Sequence, residues 1–330
     1  MRRTTLFILR SALFILLLTG CKQDYYATFS GFEQGTTYTI VVKNPDKGSG
    51  DSIDGMFELI DNTFSMFNPE SLVSRINLGE TDETTPVFDE CFAIAKEVYG
   101  RTGGYYDLTV KPLVDAWGFG PGERQEIPCV ECLMEYVGMD KIRIENSRIT
   151  KDDPRVQLDF SSVAKGFSVD KLAELLESRG VTDYMVEVGG EVRVKGVNAA
   201  GNKWRIGINK PVEGFSHELE AVVVFDDTLR AIATSGNYRN WFTDEAGNRR
   251  VHTIDAKTGL PAMGNILSVS IVGAECAVAD AWATGLMAAH DIETAKSMLP
   301  PEGIEFFIIY SDEAGELQVL SSRGFPTEKK

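Results

Sequence analysis

A chain of 330 residues, 43% hydrophobic and 25% charged, holds enough apolar material for an ordinary globular core, in two domains or in one large α+β unit. It carries 33 Lys and Arg against 49 Asp and Glu, a net charge of −16, which argues against nucleic acid and against an electrostatic grip on anionic lipid, since both reward basic patches. An acidic protein that handles an anionic ligand needs local devices instead, such as a metal ion or free backbone N–H groups.

Taken in order, residues 1–20 read as a signal peptide. Arg2, Arg3 and Arg10 precede an apolar run at 12–18 that is too short to span a bilayer. Leu18-Thr19-Gly20-Cys21 resembles the bacterial lipobox, in which the cysteine is lipidated and the preceding residues are removed. Acyl chains on Cys21 would anchor the protein to a membrane of the bacterial cell envelope, on the exported, periplasmic side, with no transmembrane helix remaining. The mature chain would then carry 30 basic and 49 acidic side chains, a net charge of −19. Residues 21–30 read as a tether, 31–325 as one catalytic unit and 326–330 as a tail.

A strand is expected at 36–42, followed by the turn-rich NPDKGSGD. A helix over 52–64 puts Ile53, Phe57, Ile60 and Phe64 on one face. MFNPESLVSRINLG reads as a loop, and Pro86 opens a second helix that stops at Gly103-Gly104. GGYYDLTVKPLVDAWGFGPG reads as a loop segment whose aromatic residues suit either core packing or a planar ring ligand. Cys129 and Cys132 form a lone CxxC. A helix-start pair of thiols is the preferred reading, with a local disulfide as the alternative; no second pair or nearby His points to zinc.

The hairpin IRIENSRIT turns at Asn146-Ser147. VQLDFSSVAKGFSVD then reads as a strand running through a small-residue turn into a helix that ends at Gly180. Asp159 and Ser162 fall at that junction, as a helix cap or beside N–H groups free for an anion. Strand-like runs follow from YMVEVGGEVRVKG to LRAIATSG, then HTIDAKTGLP, an apolar strand at 266–272, a small-residue helix, a helix at 292–299 and a final hairpin. Elements interleave irregularly, which suggests α+β with mixed or antiparallel sheets. GFGPG follows no strand and lacks the third glycine of a dinucleotide fingerprint, so a Rossmann fold is rejected.

Asp280 and Thr284 lie at i and i+4 on the small-residue helix, so their oxygens emerge on one face. Such a pair suits a hard cation that takes oxygen ligands, Mg²⁺ before zinc. The alternative makes Asp280 an exposed residue and leaves Thr284 bonded to its own helix. His252 opens HTIDAKTGLP, where a neutral imidazole can act as a base. His217 and His290 lie in segments without a polar constellation and read as ordinary surface or structural residues.

LDFSSVAKGFSVD, VEVGG, ATSGNYRNW, HTIDAKTGLP and DAWATGLM, in this order, together with GGYYDLTVKPLVDAWGFGP and SLVSRIN, resemble the ApbE family of FAD:protein FMN transferases. The resemblance covers residues 31–325. It implies an α+β fold related to the T-fold group and an enzyme that splits FAD with Mg²⁺, moving FMN to a Ser or Thr of an acceptor flavoprotein and leaving AMP. It implies Asp280, Thr284 and Ser162 (through its carbonyl) as metal ligands. Phe67, Tyr105, Tyr106, Asp107, Asp159, Lys165 and the Ile254 backbone would contact FAD. His252 would act on the incoming hydroxyl and Asp280 would be catalytic through the metal; nearness in sequence makes Asp255 a candidate to orient His252. Some relatives hydrolyse FAD instead, and a flavin-binding lipoprotein without catalysis is the reading of a different class. The sequence departs from the family at Gln34 (often Met), Phe67 (commonly Tyr) and Ala283 (Asp in some members).

Overall fold

The computed structural model describes residues 24–122, 124–125, 128–211, 218–226, 230–237, 241–243, 247 and 249–328. Residues 1–20, Cys21 and His217 lie outside them. The chain opens with a hairpin of β1 (Tyr26–Glu33) and β2 (Thr36–Lys43), turning through Gln34 and Gly35, both at positive φ. Residues 26–30 of the expected tether are therefore strand, and 21–23 lie outside the described residues. Tyr26 packs on the core and its hydroxyl donates to the Val197 carbonyl at 2.8 Å, which ties this run to the sheet.

α1 (Ser49–Phe64) buries the four residues that its spacing selects. α2 (Leu72–Leu78) replaces the expected loop: Ser71 caps it by accepting the Ser74 N–H, and Gly79 ends it in the left-handed conformation. α3 (Pro86–Arg101) starts at its proline as expected. The aromatic-rich segment is likewise more ordered than a loop, with α4 (Lys111–Trp117) entered through a proline and closed by Gly118 at φ 84°.

α5 (Val130–Met134) starts at Cys129, which is disulfide-bonded to Cys132. This overturns the free-thiol reading: the first turn brings the two Cα atoms to 5.4 Å, within bridging reach. β3 (Ile142–Glu145) and β4 (Arg148–Lys151) form the expected hairpin. The run at 156–160, expected as a strand, pairs with none. The Asn77 side chain serves its backbone instead, accepting the Leu158 N–H and donating to the Leu158 carbonyl.

α6 (Ala164–Ser178) follows, then β5 (Tyr184–Val188), β6 (Glu191–Lys195), β7 (Arg205–Asn209), β8 (Leu219–Val224) and β9 (Ala231–Gly236). The short strands β10 (Trp241–Thr243), β11 (Arg249–Val251), β12 (Ile254–Asp255) and β13 (Leu260–Pro261) lead to β14 (Ile266–Gly273). α7 (Cys276–Ala288), α8 (Ile292–Lys296), β15 (Glu305–Ser311) and β16 (Leu317–Ser321) complete the chain. Pairing of Glu328 N–H with the Val222 carbonyl draws part of the expected tail onto β8.

Eight strands make one sheet in the order β1-β2-β5-β6-β9-β14-β15-β16, and every pairing is antiparallel. The α+β class is thus found. Side-chain alternation splits the core between the two faces. Val186, Val269, Ile271 and Ile308 meet the helices, whereas Val192, Val194, Val272 and Ile309 pack against Trp204, Ile208, Val223 and Phe325. α7 is buried nearly all round, and its alanines let the sheet and α6 come close.

Candidate active site

The closeness of α6 and α7 sets the site. A methyl group on Gly166 would stand 2.5 Å from the Cys276 carbonyl oxygen and 2.8 Å from Asp280 Cβ, so only glycine fits this crossing. The Gly166 N–H donates to Asp280 Oδ2 at 3.0 Å. One turn further along α6, Asp170 accepts the N–H groups of Cys276 and Ala277, capping α7, and pairs with Arg193 at 2.7 Å. Asp280 is 3% exposed, so it is no surface residue. Burial pushes its carboxyl up to about 7, against the pull of Lys165.

Asp280 and Thr284 open into a cavity of about 540 Å³. Thr284 Oγ1 lies 3.3 Å from Ser235 Oγ on β9, so it faces outward from its own helix. Ser162 and Lys165 enter from the start of α6, and His252 and Ile254 from the segment after β11. Phe67, Tyr105, Tyr106, Asp107 and Asp159 complete the set, so the residues expected to contact FAD or a metal, together with His252, line one cleft, whereas Asp255 does not. Lys165 Nζ is 2.6 Å from Glu191 Oε1; burial alone would lower its ammonium, but Glu191 and Asp280 outweigh that and hold it raised.

The roles divide more finely than the sequence suggests. Phe67 is 72% exposed at the lip, free to cover a ring. Tyr106 is a core residue whose hydroxyl accepts from Ser162 Oγ at 3.3 Å, which makes it a support for Ser162. Asp107 accepts from Thr109 and from the Met139 N–H, and Asp159 from the Ser161 N–H. Burial raises both carboxyls, and both shape the wall as much as they offer oxygen to a ligand. Tyr105 lies beside Lys257, whose ammonium is 5.9 Å from the ring centre.

His252 lines the cavity with the Phe119 ring edge-on at 6.4 Å. Asp255 does not orient it. Its Oδ1 accepts the Lys257 N–H, and its Oδ2 accepts Thr258 Oγ1 and lies 3.4 Å from His290 Nδ1. His290 consequently lies between Asp291, its neighbour in sequence, and Asp255, which only the fold brings to it. The His252 segment is held elsewhere: Thr253 Oγ1 donates to Asn237 Oδ1, and Asn237 Nδ2 donates to the Ala262 carbonyl.

Glu191, Asp170, Arg193 and Asn237 are therefore site-building residues that sequence reasoning missed. The available signal was a pair of charges, Glu191 and Arg193, alternating with Val192 and Val194, which ordinarily marks a solvent face. Here both charges point at α6, where Lys165 and Asp170 answer them.

The ApbE family model matches residues 34–308. The chain belongs to the ApbE family. It is 36% identical to an FAD:protein FMN transferase of Vibrio cholerae, over 93% of this chain and 95% of that one, and 34% identical to one of Haemophilus influenzae, over 93% of each. The solved structure of the flavin transferase ApbE from Vibrio cholerae superposes with a TM-score of 0.81 at 32% identity, covering 92% of this chain and 98% of that one. The apo flavinyl transferase ApbE of Pseudomonas stutzeri gives 0.79 at 28% identity, covering 91% and 95%.

Two departures from the ApbE pattern acquire a structural meaning. Ala283 is fully buried in the core and does not line the cleft, so this position offers nothing to a ligand. Gln34, at φ 52°, donates from its side-chain amide to Ser168 Oγ and pins the β1–β2 turn to α6.

Proposed function

We propose that the protein transfers the FMN half of FAD to a Ser or Thr hydroxyl of an acceptor flavoprotein, an exported or membrane redox subunit, and releases AMP. The observation that carries this reading is the convergence of Asp280, Thr284, Ser162, Lys165 and His252 on one cavity. In the reaction the acceptor oxygen bonds to the FMN phosphorus, the pyrophosphate P–O bond breaks, AMP leaves and the hydroxyl loses its proton.

Among the described residues no three His, Cys, Asp or Glu side chains cluster as a metal site. What the cleft offers at α7 is the buried Asp280 carboxylate, with the Gly166 N–H as its one hydrogen bond among the described residues, the Thr284 hydroxyl one turn away, and Ser162 on the facing wall. That all-oxygen set fits Mg²⁺, which keeps several waters and phosphate oxygens for itself. Bound there, Mg²⁺ would neutralise charge on the pyrophosphate. Asp280, Thr284 and Ser162 would hold it, and Lys165 would add a positive charge to the same phosphates. His252 would take the hydroxyl proton, since a Ser or Thr oxygen is a weak nucleophile until a base removes it. Phe67 and Tyr105 supply ring surfaces for the nucleotide.

Incubation with FAD, Mg²⁺ and a candidate acceptor domain should yield a fluorescent protein band that survives denaturation, with one AMP per flavin attached. Intact FAD, or FMN and AMP in solution with an unlabelled acceptor, would reject the transfer reading. We also infer lipid anchoring at Cys21, on the strength of the lipobox-like LTGC and a described region in which no helix is long and apolar enough to cross a membrane. Cys21→Ala should then release the protein from the membrane fraction; unchanged partitioning would refute the anchor.

A further inference from the structure

The cleft places one ammonium between two buried carboxylates. Lys165 and Asp280 both line it, and so does Glu191, 3% exposed at the start of β6. Lys165 Nζ lies 2.6 Å from Glu191 Oε1, whereas among the described residues Asp280 receives only the Gly166 N–H. Glu191 Oε2 has no hydrogen-bond partner among the described residues, so nothing but Lys165 draws on that carboxylate's charge. The Gly189-Gly190 turn before it, at φ 61° and 102°, is shaped around the lysine: a methyl group on Gly189 would stand 3.3 Å from Lys165 Cδ and 2.8 Å from Thr36 Cγ2.

From this arrangement, and resting on the transferase reading above, we propose that Glu191 is a positioning residue that holds the Lys165 ammonium away from Asp280, leaving the Asp280 oxygens without an ion-pair partner and open to a divalent cation, with the ammonium pointed at phosphate. The physical reason is competition. A buried ammonium must have an anion beside it, because leaving it unpaired is costly. Asp280 is the carboxylate to which it can turn: the N–H of Gly166, the next residue in the chain, already donates to Asp280 Oδ2, and both side chains line the same cleft. If Glu191 loses its charge, Lys165 turns to Asp280, neutralises it, and displaces the cation that the site is built to take.

The test uses the full mature chain and Mn²⁺ alone as probe, read by the loss of the free-ion electron paramagnetic resonance signal. Glu191→Gln should weaken Mn²⁺ binding by about tenfold or more, the size typical of losing a group that supports a metal ligand. Glu191→Asp, which keeps the charge on a shorter arm, should recover most of it. The decisive variant is Lys165→Met combined with Glu191→Gln. Removing the competitor should restore Mn²⁺ binding to within about threefold of wild type, while FMN transfer stays depressed in kcat because the phosphate charge is gone.

A double variant as weak as Glu191→Gln alone would overturn the proposal, since Glu191 would then act on the ion directly or only through folding. Wild-type Mn²⁺ affinity in Glu191→Gln would overturn it equally. Neither result touches the transferase reading, which fails separately if the wild-type protein labels no acceptor.

Discussion

On the proposed mechanism His252 and Asp280 carry different parts of the chemistry, and their variants should fail differently. His252→Ala should still bind FAD, since its contribution is to a proton transfer, and should lose transfer by about 10²–10⁴-fold. Equilibrium binding followed by flavin fluorescence, set beside transfer rates, checks this; a variant that transfers at the wild-type rate would remove His252 from the mechanism. Asp280→Ala should release no AMP and label no acceptor, and AMP release at the wild-type rate would refute its role. Gly166 belongs at this scale too. A methyl group there meets the Cys276 carbonyl and the Cβ of Asp280. Gly166→Ala should therefore cost about 1–3 kcal/mol, the usual range for overpacking, and lower activity along with Tm. An unchanged melting temperature would show that the α6–α7 crossing has slack.

Among the elements, β6 is the one whose part was least visible in advance. It sends Glu191 and Arg193 to the helix side of the sheet and Val192 and Val194 to the other. Arg193 meets Asp170, and Asp170 caps the helix that carries Asp280. Both partners are buried, so removing one strands the other: Asp170→Ala should destabilise by about 3–5 kcal/mol in denaturant titration. Arg193→Met with Asp170→Leu should recover part of that loss, though without the cap on α7. If Asp170→Ala melts like wild type, the pair does not hold the two helices in register.

Legibility in the sequence followed the same physics. The α1 face, the start of α3 at Pro86 and the oxygen pair on α7 were readable because each is a local pattern of spacing or capping. α2 and α4 were not, since a seven-residue helix announces itself mainly by its ends, here Ser71 and Gly79 or Pro112 and Gly118, amid residues that also signal turns. The strand expected at 156–160 failed because scattered partners do the work of a neighbouring strand: Asn77 serves Leu158 on both sides, Lys151 donates to the Val156 carbonyl and the Leu108 carbonyl accepts the Asp159 N–H. Asp255 was assigned to the wrong histidine for a related reason: nearness in sequence favoured His252, whereas the fold brings His290 to it.

At the scale of the molecule, an antiparallel sheet carries two helices across one face, and their crossing point opens into the cleft. The protein's net charge of −16 would repel a dinucleotide phosphate, and the cleft answers with Lys165 and, on the proposal above, with a divalent cation at Asp280 and Thr284. Everything proposed for the chemistry therefore depends on a divalent ion at Asp280 and Thr284 meeting the pyrophosphate of FAD. Crystals soaked with FAD and Mn²⁺ and measured at the manganese absorption edge test this directly. The account predicts an anomalous peak bonded to Asp280 and Thr284 side-chain oxygens and to a pyrophosphate oxygen, with Lys165 on the same phosphates. Ordered FAD whose pyrophosphate lies away from these residues, or manganese bound elsewhere in the protein, would contradict it.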